Sequence, residues 1–182
     1  MININGKIDS SYRYKMPGIK SIINGRGNGI FTIITNLEEI CKYINQPYQI
    51  ILKYLSICFG SMGNETKMSI TGEYTDEQLQ KGLQKYIDTF VICPACNIPE
   101  TIPLVKKESK KNITLELKCG SCGIISSLNC TNKIDSKIID IIIKHLDKNE
   151  WTVASKGIMV SHESNKIKSF STMDDDTINP FD

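Results

Sequence analysis

Two pairs of cysteines constrain this chain more than any other feature. Cys93-Pro94-Ala95-Cys96 and Cys119-Gly120-Ser121-Cys122 are C-x2-C steps separated by 22 residues. Thiolates two residues apart can reach one ion from a tight turn, and zinc takes four such ligands tetrahedrally. Pro94, Gly120 and Gly123 suit these turns. Between the pairs, Ile113 to Lys118 alternates in the manner of a strand, in a segment otherwise too polar to bury its own core. The pattern predicts a zinc ribbon with Cys93, Cys96, Cys119 and Cys122 as ligands, against the alternatives of a redox pair or chance spacing. The zinc is expected to be structural, because four thiolates leave no open position and neither His145 nor His162 lies close in sequence. Cys41, Cys58 and Cys130 read as small buried hydrophobes.

With 182 residues, 40% hydrophobic and 23% charged, the chain has the composition of a globular protein with one medium domain or two small ones. The net charge of +2 hides an asymmetry. Residues 1–28 carry Lys7, Arg13, Lys15, Lys20 and Arg26 against Asp9 alone, while residues 147–182 carry seven acids against four lysines. A basic head suggests an anionic partner. No apolar run is long enough for a signal peptide or a membrane span, so a cytoplasmic location with reduced cysteines is expected, and no membrane partner.

Along the chain, Ile19–Ile23 and Ile30–Thr35 are short apolar runs around Asn24-Gly-Arg-Gly-Asn-Gly29, which predicts a hairpin. Asn36 is expected to cap a helix with Leu37, Ile40, Cys41 and Ile44 on one face. Pro47 opens a second helix carrying Ile51, Tyr54, Leu55 and Cys58 on one stripe, with Gly60 as its stop. Lys67–Thr71 reads as a third strand. Thr75-Asp-Glu-Gln78 is a capping box ahead of Leu79, Leu83, Tyr86, Ile87 and Phe90 at helical spacing. Ile134 to Leu146 predicts an isoleucine-rich helix, and the residues after it a disordered acidic tail. The expected fold is α+β: an exposed extended arm (1–17), a small α/β module (18–92) joined by a helix to a four-cysteine zinc ribbon (93–130), a C-terminal helix (131–147) and the tail (148–182). Gly25 to Thr32 has the length of a phosphate-binding loop. However, Ile30 and Phe31 stand where such a loop needs Gly-Lys, and a hairpin turn is the better reading.

The arm Tyr12-Arg-Tyr-Lys-Met-Pro17, the loop Gly25–Gly29, the segment Phe90-Val-Ile-Cys-Pro-Ala-Cys96, Asn97–Thr101 and the second cysteine pair follow one another in a telling order. Over residues 1–146 this order resembles the N-terminal domain of the eukaryotic translation initiation factor 5 family. The same folded module occurs in the beta subunit of translation initiation factor 2, which is not expected to carry the tyrosine-flanked arginine. The resemblance implies a GTPase-activating protein rather than an enzyme in its own right. Its partner would be the gamma subunit of translation initiation factor 2, which holds GTP and initiator methionyl-tRNA on the small ribosomal subunit in the preinitiation complex. Arg13 matches the family's arginine finger, supplied in trans, and Lys53 matches a second functional lysine. Tyr12, Tyr14, Lys15, Met16, Gly27, Asn28 and Gly29 are then contacts to the partner, and the chain is expected to act as a monomer. Where the family usually has a lysine just after the glycine loop, this sequence has Phe31.

Two readings compete. A binding protein like the beta subunit of factor 2 needs the module but not the arm. A nucleic-acid-binding ribbon calls for aromatic and basic residues interleaved on the ribbon, whereas residues 93–130 hold five lysines, three glutamates and no aromatic residue.

Overall fold

Residues 1–107, 113–128 and 132–147 are described by the computed structural model of this chain. Cys130 and the expected tail lie outside them. The first elements are two short strands, β1 (Ile2–Asn3) and β2 (Lys15–Met16), paired antiparallel with Ile2 opposite Met16. The predicted hairpin follows as β3 (Ser21–Asn24) and β4 (Phe31–Ile34), with Ile22 opposite Ile33. A 3-10 turn at Gly27–Gly29 tightens its loop. Gly25 has φ +94°, and a Cβ there would collide with the Gly29 carbonyl oxygen, so the position needs glycine.

Helix α1 (Leu37–Ile44) buries the expected face of Leu37, Ile40, Cys41 and Ile44. Asn36 does not cap it. Its amide is used on both ends elsewhere, accepting from the Lys20 N–H at 2.9 Å and donating to the Gly18 carbonyl at 2.8 Å. Tertiary partners thus outcompete the local cap and tie the helix start to the strand before it. Helix α2 (Tyr48–Cys58) begins directly after Pro47 and is followed by Gly60 at φ +61°. It buries Ile50, Ile51, Leu52, Tyr54, Leu55 and Ser56. That set is wider than the single stripe its sequence suggests, because other elements cover it from more than one side.

Strand β5 (Gly63–Asn64) and β6 (Ser69–Thr71) complete an antiparallel sheet of order β3-β4-β6-β5. The predicted third strand is shorter than Lys67–Thr71, since Met68 turns into the left-handed region at φ +46°. Helix α3 (Asp76–Phe90) carries the full capping box, with the Gln78 N–H donating to Thr75 Oγ1 at 3.3 Å and the Thr75 N–H to Gln78 Oε1 at 3.0 Å. All five predicted apolar positions of α3 are buried. Tyr86 packs edge-to-face with Tyr54 and tilted against Phe90 at ring-centroid distances of 5.1 and 5.0 Å, and its hydroxyl donates to buried Gln46 Oε1 at 2.8 Å.

The ribbon is a three-stranded antiparallel sheet of β7 (Thr101–Lys107), β8 (Ile113–Cys119) and β9 (Ile125–Ser127), with β8 in the middle. Helix α4 (Lys133–Asp147) then packs on α2. One cluster of buried side chains runs through all of these parts. It joins Ile34, Leu37 and Ile51 of the module to Leu115 of the ribbon and to Ile138, Ile142 and Leu146 of α4.

The start of the chain departs most from expectation. Residues 1–17 are not an extended arm standing free of the core, since Ile4 and Met16 are both buried in it. Asn3 Nδ2 donates to the Lys7 and Asp9 carbonyls at 2.8 and 2.6 Å, closing the intervening residues into a loop. The physical reason is an apolar pair twelve residues apart, Ile4 and Met16, that β1–β2 pairing brings inward together. Met16, expected to touch a partner, is therefore a core residue.

Candidate functional site

The two cysteine turns are built alike. In the first, the Asn97 N–H donates to the Cys93 carbonyl at 2.9 Å and the Cys93 N–H to the Ile98 carbonyl at 3.0 Å. In the second, the Gly123 N–H donates to the Cys119 carbonyl at 3.0 Å and the Cys119 N–H to the Ile124 carbonyl at 2.9 Å. The residue after each second cysteine is left-handed, Asn97 at φ +58° and Gly123 at φ +74°. Asparagine and glycine are the residues that adopt this conformation at least cost. The arrangement places Cys93 Sγ 3.7 Å from Cys122 Sγ and Cys96 Sγ 3.6 Å from Cys119 Sγ, with all four sulfurs within 4.8 Å of one another. A tetrahedron with metal–sulfur arms of about 2.3 Å has edges of about 3.8 Å, so the four thiols fit one ion. Burial opposes the charged form of Cys93. Hydrogen bonds from the Cys96 and Ala95 amides and from the neighbouring thiols outweigh it and draw this thiol down to about 7.

The first turn and Glu100 just beyond it also hold the segment around Arg13. The Tyr12 hydroxyl donates to the Asn97 carbonyl at 3.3 Å, and the Tyr14 hydroxyl donates to Glu100 Oε1 at 2.6 Å. Their rings lie 5.8 Å apart and tilted by 57°. Burial, then the nearby Cys96, raises the Tyr12 phenol above its usual range. For Tyr14 the bond to Glu100 is the leading cause of a similar rise. Arg13 itself is exposed, and no carboxylate among the described residues pairs with it. Lys15 is half-buried, with Nζ 3.4 Å from the Ser10 carbonyl oxygen.

The other predicted site residues lie elsewhere. Gly27, Asn28 and Gly29 form the exposed tip of the β3–β4 hairpin. The Gly72 N–H donates to the Ile30 carbonyl at 2.9 Å beside this tip, and the open end of the hairpin meets the N-terminal end of α3, where the Ser21 N–H donates to Asp76 Oδ1 at 2.8 Å. The tyrosine anchors lie near the C-terminal end of α3, since Cys93 follows that helix directly and Thr101 Oγ1 donates to the Phe90 and Val91 carbonyls at 3.2 and 2.8 Å. Fifteen helical residues separate the two places, about 22 Å along the axis. Lys53 is exposed on α2. Phe31 lies beneath Lys67, whose Nζ is 5.6 Å from the ring centroid. Strand β4, not a helix, follows the glycine loop, in keeping with a hairpin turn and not a nucleotide cradle.

Sequence reasoning missed Asn97 and Glu100. The signal for Asn97 was present, because it occupies the place after its cysteine pair that Gly123 holds in the second. Nothing local marked Glu100, whose partner is 86 residues away.

Fold and site together define an α+β domain closed by a four-cysteine ribbon able to hold a metal ion, with one exposed arginine between two tyrosines that hydrogen-bond to that ribbon. Residues 5–125 match the family described as a domain found in initiation factors 2B and 5. The chain belongs to this family. It is 36% identical over 141 residues to eukaryotic translation initiation factor 5 of Dictyostelium discoideum, covering 76% of this chain and 35% of that one. Against the factor 5 of Caenorhabditis elegans it is 33% identical over 143 residues, covering 76% and 32%. For that of Saccharomyces cerevisiae the identity is 33% over 138 residues, covering 72% and 32%. The chain thus spans about a third of the length of these relatives. The resemblance carried by the arm and the cysteine pairs is borne out. No helix among the described residues is long and apolar enough to cross a membrane.

Proposed function

We propose that this protein is a cytoplasmic translation initiation factor that activates GTP hydrolysis by a partner. That partner is the gamma subunit of initiation factor 2, carrying GTP and initiator methionyl-tRNA on the small ribosomal subunit. Arg13 supplies the catalytic cation in trans, and the four cysteines hold a structural zinc. The observation that carries this reading is the exposed Arg13, unpaired among the described residues, between two anchored tyrosines. Phosphoryl transfer develops charge on the transferring group, and a planar guanidinium delivered from outside stabilises it. Among the described residues no carboxylate pairs with the guanidinium, so none of their ion pairs has to break when it enters the partner's site. Lys15 and the hairpin tip Gly27–Gly29 contact the assembly, and Lys53 provides a second, more distant cation.

The test is single-turnover GTP hydrolysis by the initiator-tRNA complex of factor 2 on small subunits, run beside a pull-down. Arg13→Ala should remove most of the acceleration, typically ~10³–10⁵ for such a finger, or about 4–7 kcal/mol of barrier. Arg13→Lys should fail nearly as badly, because an ammonium lacks the forked geometry. Binding should change far less. Full acceleration by the alanine variant would instead favour a beta-subunit-like binding role, which the shared family domain also accommodates.

A further inference from the structure

We propose that Tyr12 and Tyr14 are positioning residues that fasten the backbone of Arg13 to the metal-holding turns, so that the ribbon sets how Arg13 is presented. This inference rests on Arg13 being the working cation. Along residues 12–14 the two tyrosines both turn to the ribbon while the residue between them is exposed. The loop is also closed at its base. The Ile4 N–H donates to the Tyr14 carbonyl at 3.0 Å, Gln84 Nε2 donates to the Ile4 carbonyl at 2.9 Å, and Ile4 and Met16 are buried. Arg13 is therefore held from the core on one side and from the ribbon on the other.

Both ribbon anchors are bonded to the cysteine turns. Asn97, whose carbonyl receives the Tyr12 hydroxyl, donates its own N–H to the Cys93 carbonyl and sits in the left-handed conformation that the turn requires. Glu100, which receives the Tyr14 hydroxyl, accepts the Gly120 N–H on its backbone carbonyl at 2.7 Å. One tyrosine thus reads the first turn, and the other reads a residue tied to the second. A long cation on a free leader must lose its freedom when captured by a partner. Held in this way, it has lost much of that freedom beforehand, and misplacement by an ångström is costly in phosphoryl transfer.

The experiment uses the full zinc-loaded chain and limited trypsin digestion, with cleavage after Arg13 quantified by mass spectrometry. Cleavage after Arg26, on the exposed hairpin tip, serves as the internal control. When opening is rapid, cleavage follows the population of the open loop. The double variant Tyr12→Phe/Tyr14→Phe keeps both rings and removes both hydroxyls, and Glu100→Ala removes one acceptor. In the double variant, cleavage after Arg13 should rise about tenfold, the factor equivalent to about 1.4 kcal/mol, while cleavage after Arg26 stays unchanged. Acceleration of GTP hydrolysis should fall by a similar factor with pull-down unaltered. By linkage, the double variant should also hold zinc more weakly in equilibrium competition with a chelator.

Wild-type cleavage after Arg13 in both variants would overturn the clamp. Faster cleavage with undiminished acceleration would overturn its role in positioning, and unchanged zinc affinity would overturn its coupling to the metal. If the wild-type protein accelerates no hydrolysis, the GTPase reading alone falls, since the cleavage assay judges the clamp independently.

Discussion

Ile138 lies on α4, beyond the ribbon in sequence, yet it is fully buried in the same cluster as the helices of the module. Ile138→Ala removes three carbons from that core. At about 0.8 kcal/mol per buried methylene this is a loss of about 2.4 kcal/mol. The unfilled space raises the total to about 3–4 kcal/mol, within the range observed for such truncations. For a chain of this size that corresponds to a melting temperature lower by roughly 10 °C. Circular dichroism during thermal and urea unfolding measures it, with Ile125→Ala as the comparison. Ile125 is 54% exposed on β9, and its truncation should change stability by less than about 0.5 kcal/mol. If Ile138→Ala costs no more than Ile125→Ala, α4 is not part of the core and the packing argument fails.

Cys96→Ser should abolish stoichiometric zinc, read by elemental analysis. Because Leu115 and the Tyr12 and Tyr14 anchors couple the ribbon to the rest, it should also lower the melting temperature of the whole domain. Unchanged melting of α3 would refute that coupling. Thr75→Ala removes the capping hydroxyl of α3 and should cost about 1 kcal/mol in urea unfolding. Burial raises the Asp135 carboxyl above its ordinary value of 3.8. A group raised on folding contributes stability at low pH that is lost as pH rises through its folded value. Asp135→Asn should therefore raise the melting temperature at pH 7 and leave it nearly unchanged at pH 3, and a gain confined to low pH would show the sign to be wrong.

Legibility followed locality. The capping box and apolar spacing of α3, the face of α1, the existence of α4, the hairpin and the two cysteine turns could all be read directly, because each signal lies within or beside the element that it specifies. Strand β7 was missed because it carries Pro103, a residue that demotes a run of apolar positions. As an outer strand of the ribbon, β7 tolerates it. Strand β9 is three residues long and lacks the alternation that betrayed β8. Asn36 looked like a cap, but its amide satisfied two more distant backbone groups.

The order of residues was enough to establish the ribbon and the family, since ligand spacing and the succession of motifs survive without coordinates. It also singled out Arg13 by its unusual neighbours. Three-dimensional packing was needed to show that these neighbours face inward to the ribbon and that Met16 belongs to the core. Packing also places the glycine hairpin and Arg13 at opposite ends of α3. Those outcomes depend on contacts between residues far apart in the chain, such as Tyr14 with Glu100 and Ile4 with Gln84. Such contacts form because burying apolar surface brings the segments together, and no local pattern in either partner encodes the meeting.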